Sequence, residues 1–362
     1  MTGVRVLREL LARLGWRSRP TKRALVLAGG GVIGGMYEVG ALAALDEALP
    51  GFRANDFDLY VGSSAGSVVA TLMANGVRPL DLYHILDESR DDPLNFHSGS
   101  VYHRGAIADA GRSFLRLVWA VGKNLATNFR LDWPDILARS RPDMPAGFFS
   151  VRQLEEYLRR AFVARGIAND FHACLRPLLI PAMDLDRAER VVFGIGALAD
   201  TPVSEAIAAS SAIPGFFEPF RIGERDFIDG DVGHTGHADL AVQAGAGVVV
   251  VVNPLVPLRT EGRAPALRGQ GLYGILEQVG RINSQSLLEL GLRELALSHP
   301  GVEIHLVQPP ALDTPLFGPS MGFEASRQAL RFGHDSVGKW LEGEGAILRK
   351  RFGAVPPQRV KT

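Results

Sequence analysis

Cysteine is almost missing from this chain. The 362 residues contain one, Cys174, which excludes an internal disulfide and suits a reducing compartment. In the setting HACLRPLLI that thiol reads as a buried, inert side chain. No run of about 18 uncharged apolar residues occurs, so no membrane-spanning helix is expected. The N-terminus lacks the apolar core of a secretory signal, which makes the cytoplasm the expected compartment. Net charge is absent too: 39 Lys and Arg balance 39 Asp and Glu, so no global field attracts nucleic acid. No internal repeat is visible. What is present is apolar bulk, 46% of residues, enough to bury the core of one large α/β domain with an insertion.

The most informative stretch is FDLYVGSSAGSVVATLMANG, from Phe57 to Gly76. It reads as a short apolar strand, a tight turn and a helix, with Gly62-Ser63-Ser64-Ala65-Gly66 at the turn. A G-x-S-x-G pattern in that context is a nucleophile elbow: a strained strand-to-helix bend holds the central serine hydroxyl clear of the backbone. Ser64 is the candidate nucleophile. Ser210 and Ser211 lack an elbow and read as helix-packing residues.

A second glycine-rich turn lies upstream, in RALVLAGGGVIGGMYEVGALAALDEAL. Ala24 to Ala28 reads as a buried strand and the segment after Gly29-Gly30-Gly31 as a helix. Gly29, Gly31 and Gly34 also match the G-x-G-x-x-G fingerprint of a nucleotide-binding Rossmann-like protein. That reading needs an acidic residue at the end of the next strand, where this chain has Tyr60-Val61-Gly62-Ser63-Ser64. The other use of three glycines at a helix start is an oxyanion hole, with backbone N–H groups of Gly30 and Gly31 facing a developing negative charge.

The remainder organises around these two turns. Residues 1–22 carry Arg5, Arg8, Arg13, Arg17, Arg19 and Lys22 against Glu9, with Val4, Leu7, Leu11 and Leu14 at helical spacing. This is a basic amphipathic segment suited to transient contact with an anionic membrane surface. Residues 93–145 form a loop-rich, lid-like insertion with an apolar helix near 113–121. Helices are expected from Ser150 to Gly166, from Gly271 to Ser298 and from Ala325 to Leu348. Strands are expected in PLLIPAMDL, RVVFGIG, Phe227-Ile228, Gly247 to Val252 and EIHLVQP, with Asp239 capping a helix from Leu240. The basic, proline-containing tail 349–362 reads as disordered.

Serine needs a base. One candidate set is a triad with Asp229 and either His299 or His305; the other is Asp229 alone. A carboxylate is a weak base at neutral pH unless burial or a like charge, such as Asp231, raises its pKa.

Four stretches together, GGGVIG (29–34), GSSAGS (62–67), ASSAIPGFFEP (209–219) and DGD (229–231), resemble the patatin-like phospholipase family and follow its order. The resemblance implies a three-layer α/β/α fold with a mostly parallel central sheet, spanning residues 23–348. It implies a Ser64–Asp229 dyad without histidine, an oxyanion hole at Gly29 to Gly31, and hydrolysis of lipid or phospholipid acyl esters with no metal or cofactor. Two departures stand out: Ile33 replaces a common basic residue after the glycine run, and Asp231 stands where Gly or Ala is usual.

Overall fold

The computed structural model describes residues 21–49, 51–95, 115, 116, 118, 119, 123, 140, 143–260, 267–311, 315–318 and 325–352. Residues 1–20 of the expected amphipathic segment, most of the insertion 93–145 and residues 353–362 of the expected tail lie outside these residues. Lys22, counted with the terminal segment above, is part of the domain: its carbonyl accepts from Gly247 N at 2.9 Å and its Nζ donates to Ala244 O at 2.9 Å.

Five strands run parallel: β1 (Arg23–Leu27), β2 (Leu59–Gly62), β3 (Leu178–Asp184), β7 (Val248–Val252) and β8 (Glu303–Val307), in spatial order β3-β2-β1-β7-β8. Antiparallel strands extend the β3 side: β6 (Arg225–Ile228) and β5 (Phe220–Ile222) beyond it, with β4 (Glu189–Phe193) paired along its far half. β5 was invisible in the sequence because FRI is a three-residue edge strand, too short to show a period.

The valine run of β7 needs no polar face. Val248, Val250 and Val252 enter one core with Leu25 and Leu27, and Val249 and Val251 enter the other with Ala24 and Val26. Helices α1 (Gly31–Ala48), α2 (Ala65–Ala74) and α8 (Ser326–Glu342) cover the first face. Helices α6 (Ala238–Gln243) and α7 (Gly271–Ser298) cover the second, completing three layers. Apart from Glu38, helix α1 is apolar all round as far as Leu45, because it is the inner of two stacked helices. A Cβ at Gly40 would lie 2.0 Å from Leu330 O, and one at Gly333 would lie 2.3 Å from Tyr37 O, so α8 crosses α1 backbone to backbone.

The remaining described helices are α3 (Pro79–Asp87), α4 (Arg152–Arg165), α5 (Val203–Ser210) and α9 (Ala346–Phe352). No helix among the described residues is long and apolar enough to cross a membrane.

Two boundaries differ from expectation. Helix α6 begins at Ala238, so Asp239 lies in its first turn and gives its carboxylate to Arg190 instead of capping. The single helix expected over 325–348 is two, parted by Gly343 and Gly345, and the second runs into the basic stretch assigned to the tail. Leu348 and Phe352, four residues apart on one face, are buried, and the Phe352 ring centroid lies 4.5 Å from that of Phe52. The domain thus reaches Phe352 instead of ending at Leu348; three exposed cations, Arg349 to Arg351, masked its apolar face. Phe352→Ala should lower stability by about 3–5 kcal/mol, and Arg349→Ala by less than about 0.5 kcal/mol, in chemical denaturation.

Candidate active site

The registers Leu27↔Gly62 and Leu27↔Val252 end β1, β2 and β7 level with one another. The turns that leave them therefore stand side by side at the C-terminal edge of the sheet. After β2 the chain bends sharply: Ser64 has φ 48° and ψ −129° and is the residue before α2. A non-glycine residue in that region is strained and must be held by its surroundings. The flanking glycines make the bend sterically possible, since a Cβ would meet Gly66 O at 2.4 Å from Gly62 and Leu27 O at 2.5 Å from Gly66. The Ser64 amide donates to Ser210 Oγ at 2.9 Å, and Ser210 Oγ donates to Pro181 O at 2.7 Å. Ser210 is thus a tie between the elbow, α5 and β3. Sequence reasoning missed this role, although the residue lies in one of the four stretches quoted above.

Strand β6 ends at Ile228 and delivers Asp229-Gly230-Asp231 to the same edge. Asp229 N donates to Ala212 O at 3.0 Å, Gly230 N to Ser210 O at 3.1 Å, and Asp231 N to Asp229 Oδ1 at 2.9 Å. The Ser64 side chain lies close enough to the Asp229 carboxyl to lower its pKa. Two residues far apart in sequence, Ser64 and Asp229, are therefore brought together.

Asp231 makes two further bonds: Oδ1 accepts from Ser63 Oγ at 2.6 Å and Oδ2 from Gly29 N at 2.9 Å. This revises the expected oxyanion hole. The Gly29 amide is committed to a carboxylate, so it is Gly30 and Gly31, at the start of α1, that carry first-turn amides with no intrahelical acceptor. Gly29 serves by its size, because a Cβ there would lie 2.0 Å from Asp231 Oδ2 and 2.7 Å from Ser64 Cβ. The same crowding argues against a dinucleotide: a carboxylate and the elbow serine occupy the space over the glycine turn that a diphosphate requires.

Asp229 is buried and Asp231 mostly so, and each carboxyl lies close enough to affect the other. Burial first, then the Asp231 charge, pushes Asp229 up to about 8, against the lowering effect of the Asp231 amide and the Ser64 hydroxyl. Burial pushes Asp231 up to about 6, opposed by Ser63 and the Gly29 amide. The carboxyl of Glu38, wholly buried in α1, is also pushed well above the usual carboxylate range, by burial and then by Asp231.

The histidines proposed for a triad lie elsewhere. His305 is on edge strand β8, bonded to Glu303 at 2.8 Å, with β7 and β1 between it and β2. His299 precedes β8 and so sits at the N-terminal edge of the parallel strands, opposite the elbow. The triad through His305 is overturned by topology.

From Ser64 an apolar cavity of about 140 Å³ runs between α1, α2, α3 and α4. Gly31, Ser64 and Ala65 line its reactive end, and Leu72, Leu86, Leu158 and Phe162 form its walls. Leu94, at the start of the insertion, also contributes. The helix near 113–121, expected to border this space, is only partly described, and its Leu115, Val118 and Trp119 are exposed.

The raised carboxyl pKa values carry a stability signature. A folded pKa above the unfolded value means that the native state binds more protons, so stability is full below the unfolded aspartate value of about 4 and is lost as pH rises through about 8. Asp229→Asn should flatten that loss, read as the difference in melting temperature between about pH 5 and about pH 9.

Several known proteins are similar to this chain. A probable lipid hydrolase of Invertebrate iridescent virus 6 is 20% identical over 227 residues, covering 61% of this chain and 63% of the viral one. The structure of VipD from Legionella pneumophila aligns over 90% of this chain and 67% of its own, at 15% identity and a TM-score of 0.39. That of the type III effector ExoU aligns over 90% and 53%, at 17% identity and a TM-score of 0.37. The family model for patatin-like phospholipases matches residues 25–241, more than half of the chain and the whole of the stretch from β1 through the Asp229 turn into α6. The chain belongs to the patatin-like phospholipase family.

Proposed function

We propose that the protein is a serine hydrolase of lipid acyl esters, working through an acyl-enzyme on Ser64 with Asp229 as its base. The observation that carries this reading is the placement of the elbow serine Ser64 beside the buried Asp229 carboxyl at the end of an apolar cavity.

The acyl chain enters the cavity between α1 and α4, which brings the ester carbonyl to Ser64. Ionised Asp229 takes the hydroxyl proton as Ser64 Oγ attacks the carbonyl carbon. The oxyanion is stabilised by the Gly30 and Gly31 amides and by the positive ends of α1 and α2. The C–O bond to the alcohol breaks and the leaving oxygen takes the proton from Asp229. Water then attacks the acyl-enzyme, with Asp229 again accepting a proton, and Ser64 is regenerated as the fatty acid leaves. An ordinary aspartate is too weak a base for this at neutral pH; the buried, doubly carboxylic setting brings Asp229 into the working range.

Phospholipids, lysophospholipids and simpler lipid esters are the substrates that this cavity and chemistry suit. Transient contact with an anionic membrane through the basic segment 1–22 would bring the site to them. Peripheral attachment from the cytoplasm fits that role.

Ser64→Ala should abolish labelling by a fluorophosphonate probe and all turnover on a mixed-lipid panel. Asp229→Asn should lower kcat about a thousandfold or more while the protein stays folded. Labelling that survives Ser64→Ala overturns the assignment. Wild-type activity should rise with pH toward about 8, since it is the ionised form of Asp229 that acts. Leu86→Trp, filling the cavity, should reduce kcat/KM for long-chain esters about tenfold or more relative to short-chain ones in a chain-length series.

A further inference from the structure

The residues after Asp231 read V-G-H-T-G-H, and the second histidine of that run, His237, is buried beneath the aspartate turn. Its backbone is left-handed, φ 32° and ψ 33°, a conformation that a non-glycine residue holds only when its contacts require it. Both ring nitrogens are engaged. Arg190 Nη1 lies 3.3 Å from Nδ1, and the same guanidinium is anchored on Asp239, with Nη1 to Oδ1 at 3.0 Å. His237 Nε2 lies 3.0 Å from Gly230 O.

A guanidinium has only donors. Nδ1 must therefore accept from Arg190, which leaves the ring hydrogen on Nε2, where it donates to the Gly230 carbonyl. The groups facing the imidazole are Arg190 from β4, Asp239 from α6, His234 from the preceding loop with its ring stacked at 6.0 Å, and Asp231, whose Oδ1 is 3.8 Å from Nε2. Burial first, then Arg190, lowers the imidazole to about 3, so it stays neutral wherever the protein works.

Gly230 lies between the two aspartates. Its N–H is held by Ser210 O, the residue whose hydroxyl also holds the Ser64 amide, and its C=O is held by His237. The peptides on either side of Gly230 are thus fixed from opposite directions.

We propose that His237, locked by Arg190 in its Nε2–H tautomer, is the positioning residue that holds the Asp229 turn in register with Ser64. This rests on Asp229 being the base. A histidine then serves a reaction in which no histidine moves a proton: it supplies one fixed hydrogen bond to the backbone that carries the carboxylate.

Two substitutions divide its contacts. In His237→Asn the amide oxygen replaces Nδ1 toward Arg190, and asparagine tolerates the left-handed backbone, but the side chain is too short to reach Gly230. In His237→Gln the amide nitrogen replaces Nε2–H toward Gly230. The asparagine variant should lose about 10- to 100-fold in kcat on a lipid ester with KM unchanged, because the cavity is untouched and only the base is displaced. The glutamine variant should recover most of that loss. Wild-type kcat in the asparagine variant, a loss expressed in KM, or no recovery with glutamine overturns the proposal. The wild-type protein gives a readout independent of turnover and of any variant's folding: long-range ¹H–¹⁵N spectra should show His237 as the Nε2–H tautomer, without titration between about pH 5 and pH 9. An Nδ1–H tautomer, or titration in that range, also overturns it. Full turnover in Asp229→Asn, by contrast, overturns the base assignment and leaves the tautomer measurement standing.

Discussion

Everything at this site depends on one close approach: three turns leaving the sheet converge until Gly29, Ser64 and Asp231 touch. The strands set the level, because β1 and β2 end in step and β6 delivers the aspartate turn to the same edge, and small residues set the distance. Where an ordinary side chain would force the turns apart, the chain has Gly29, Gly62 and Gly66. The hydrogen bonds that close the approach join residues 146 to 202 positions apart, so the site exists only once the whole sheet is assembled. It is a tertiary object built from local parts.

That approach takes two carboxyl groups out of water, and the chemistry follows from the penalty. Desolvation disfavours their charge and each disfavours the other's, so the protons stay on to a higher pH than an aspartate normally allows. A group that binds its proton so strongly is, once ionised, the better base. Base strength and stability are therefore opposed at Asp229, and the surrounding donors decide how far. Ser63, the Gly29 amide and the Asp231 amide relieve part of the cost while the rest remains as reactivity. Asp231, standing where Gly or Ala is usual in the family, adds both a tie and a charge. Its effect on the turn is thus geometric and electrostatic together.

The elbow and the aspartate were legible because each is a local pattern with a local cause. G-x-S-x-G between an apolar strand and a helix, and D-G-D after Phe227-Ile228, state their conformations within a few residues. The valine strand was legible because it has no polar face. What escaped were roles assigned by distant contacts. Ser210 looks like any small residue in a helix until β2 and β3 are placed around it. His237 looks like a surface histidine until Arg190, 47 residues earlier, is seen to reach it. Gly29 belonged to a motif whose usual meaning, a free amide, was reversed by a carboxylate from the other half of the chain. The end of the domain was misjudged for another reason: positive charge on one face of α9 outweighed two buried apolar residues on the other.

The backbone crossing of α1 and α8 through Gly40 and Gly333 bears on how the protein is made. Helix α1 follows β1 and carries the glycine turn at its head, yet its outer cover, α8, comes only after β8. During synthesis an eighteen-residue helix with little charge would stay unshielded until α8 had left the ribosome. The nascent chain is thereby exposed to self-association until α8 emerges, and binding by chaperones in that interval would be governed by α1 rather than by the catalytic residues.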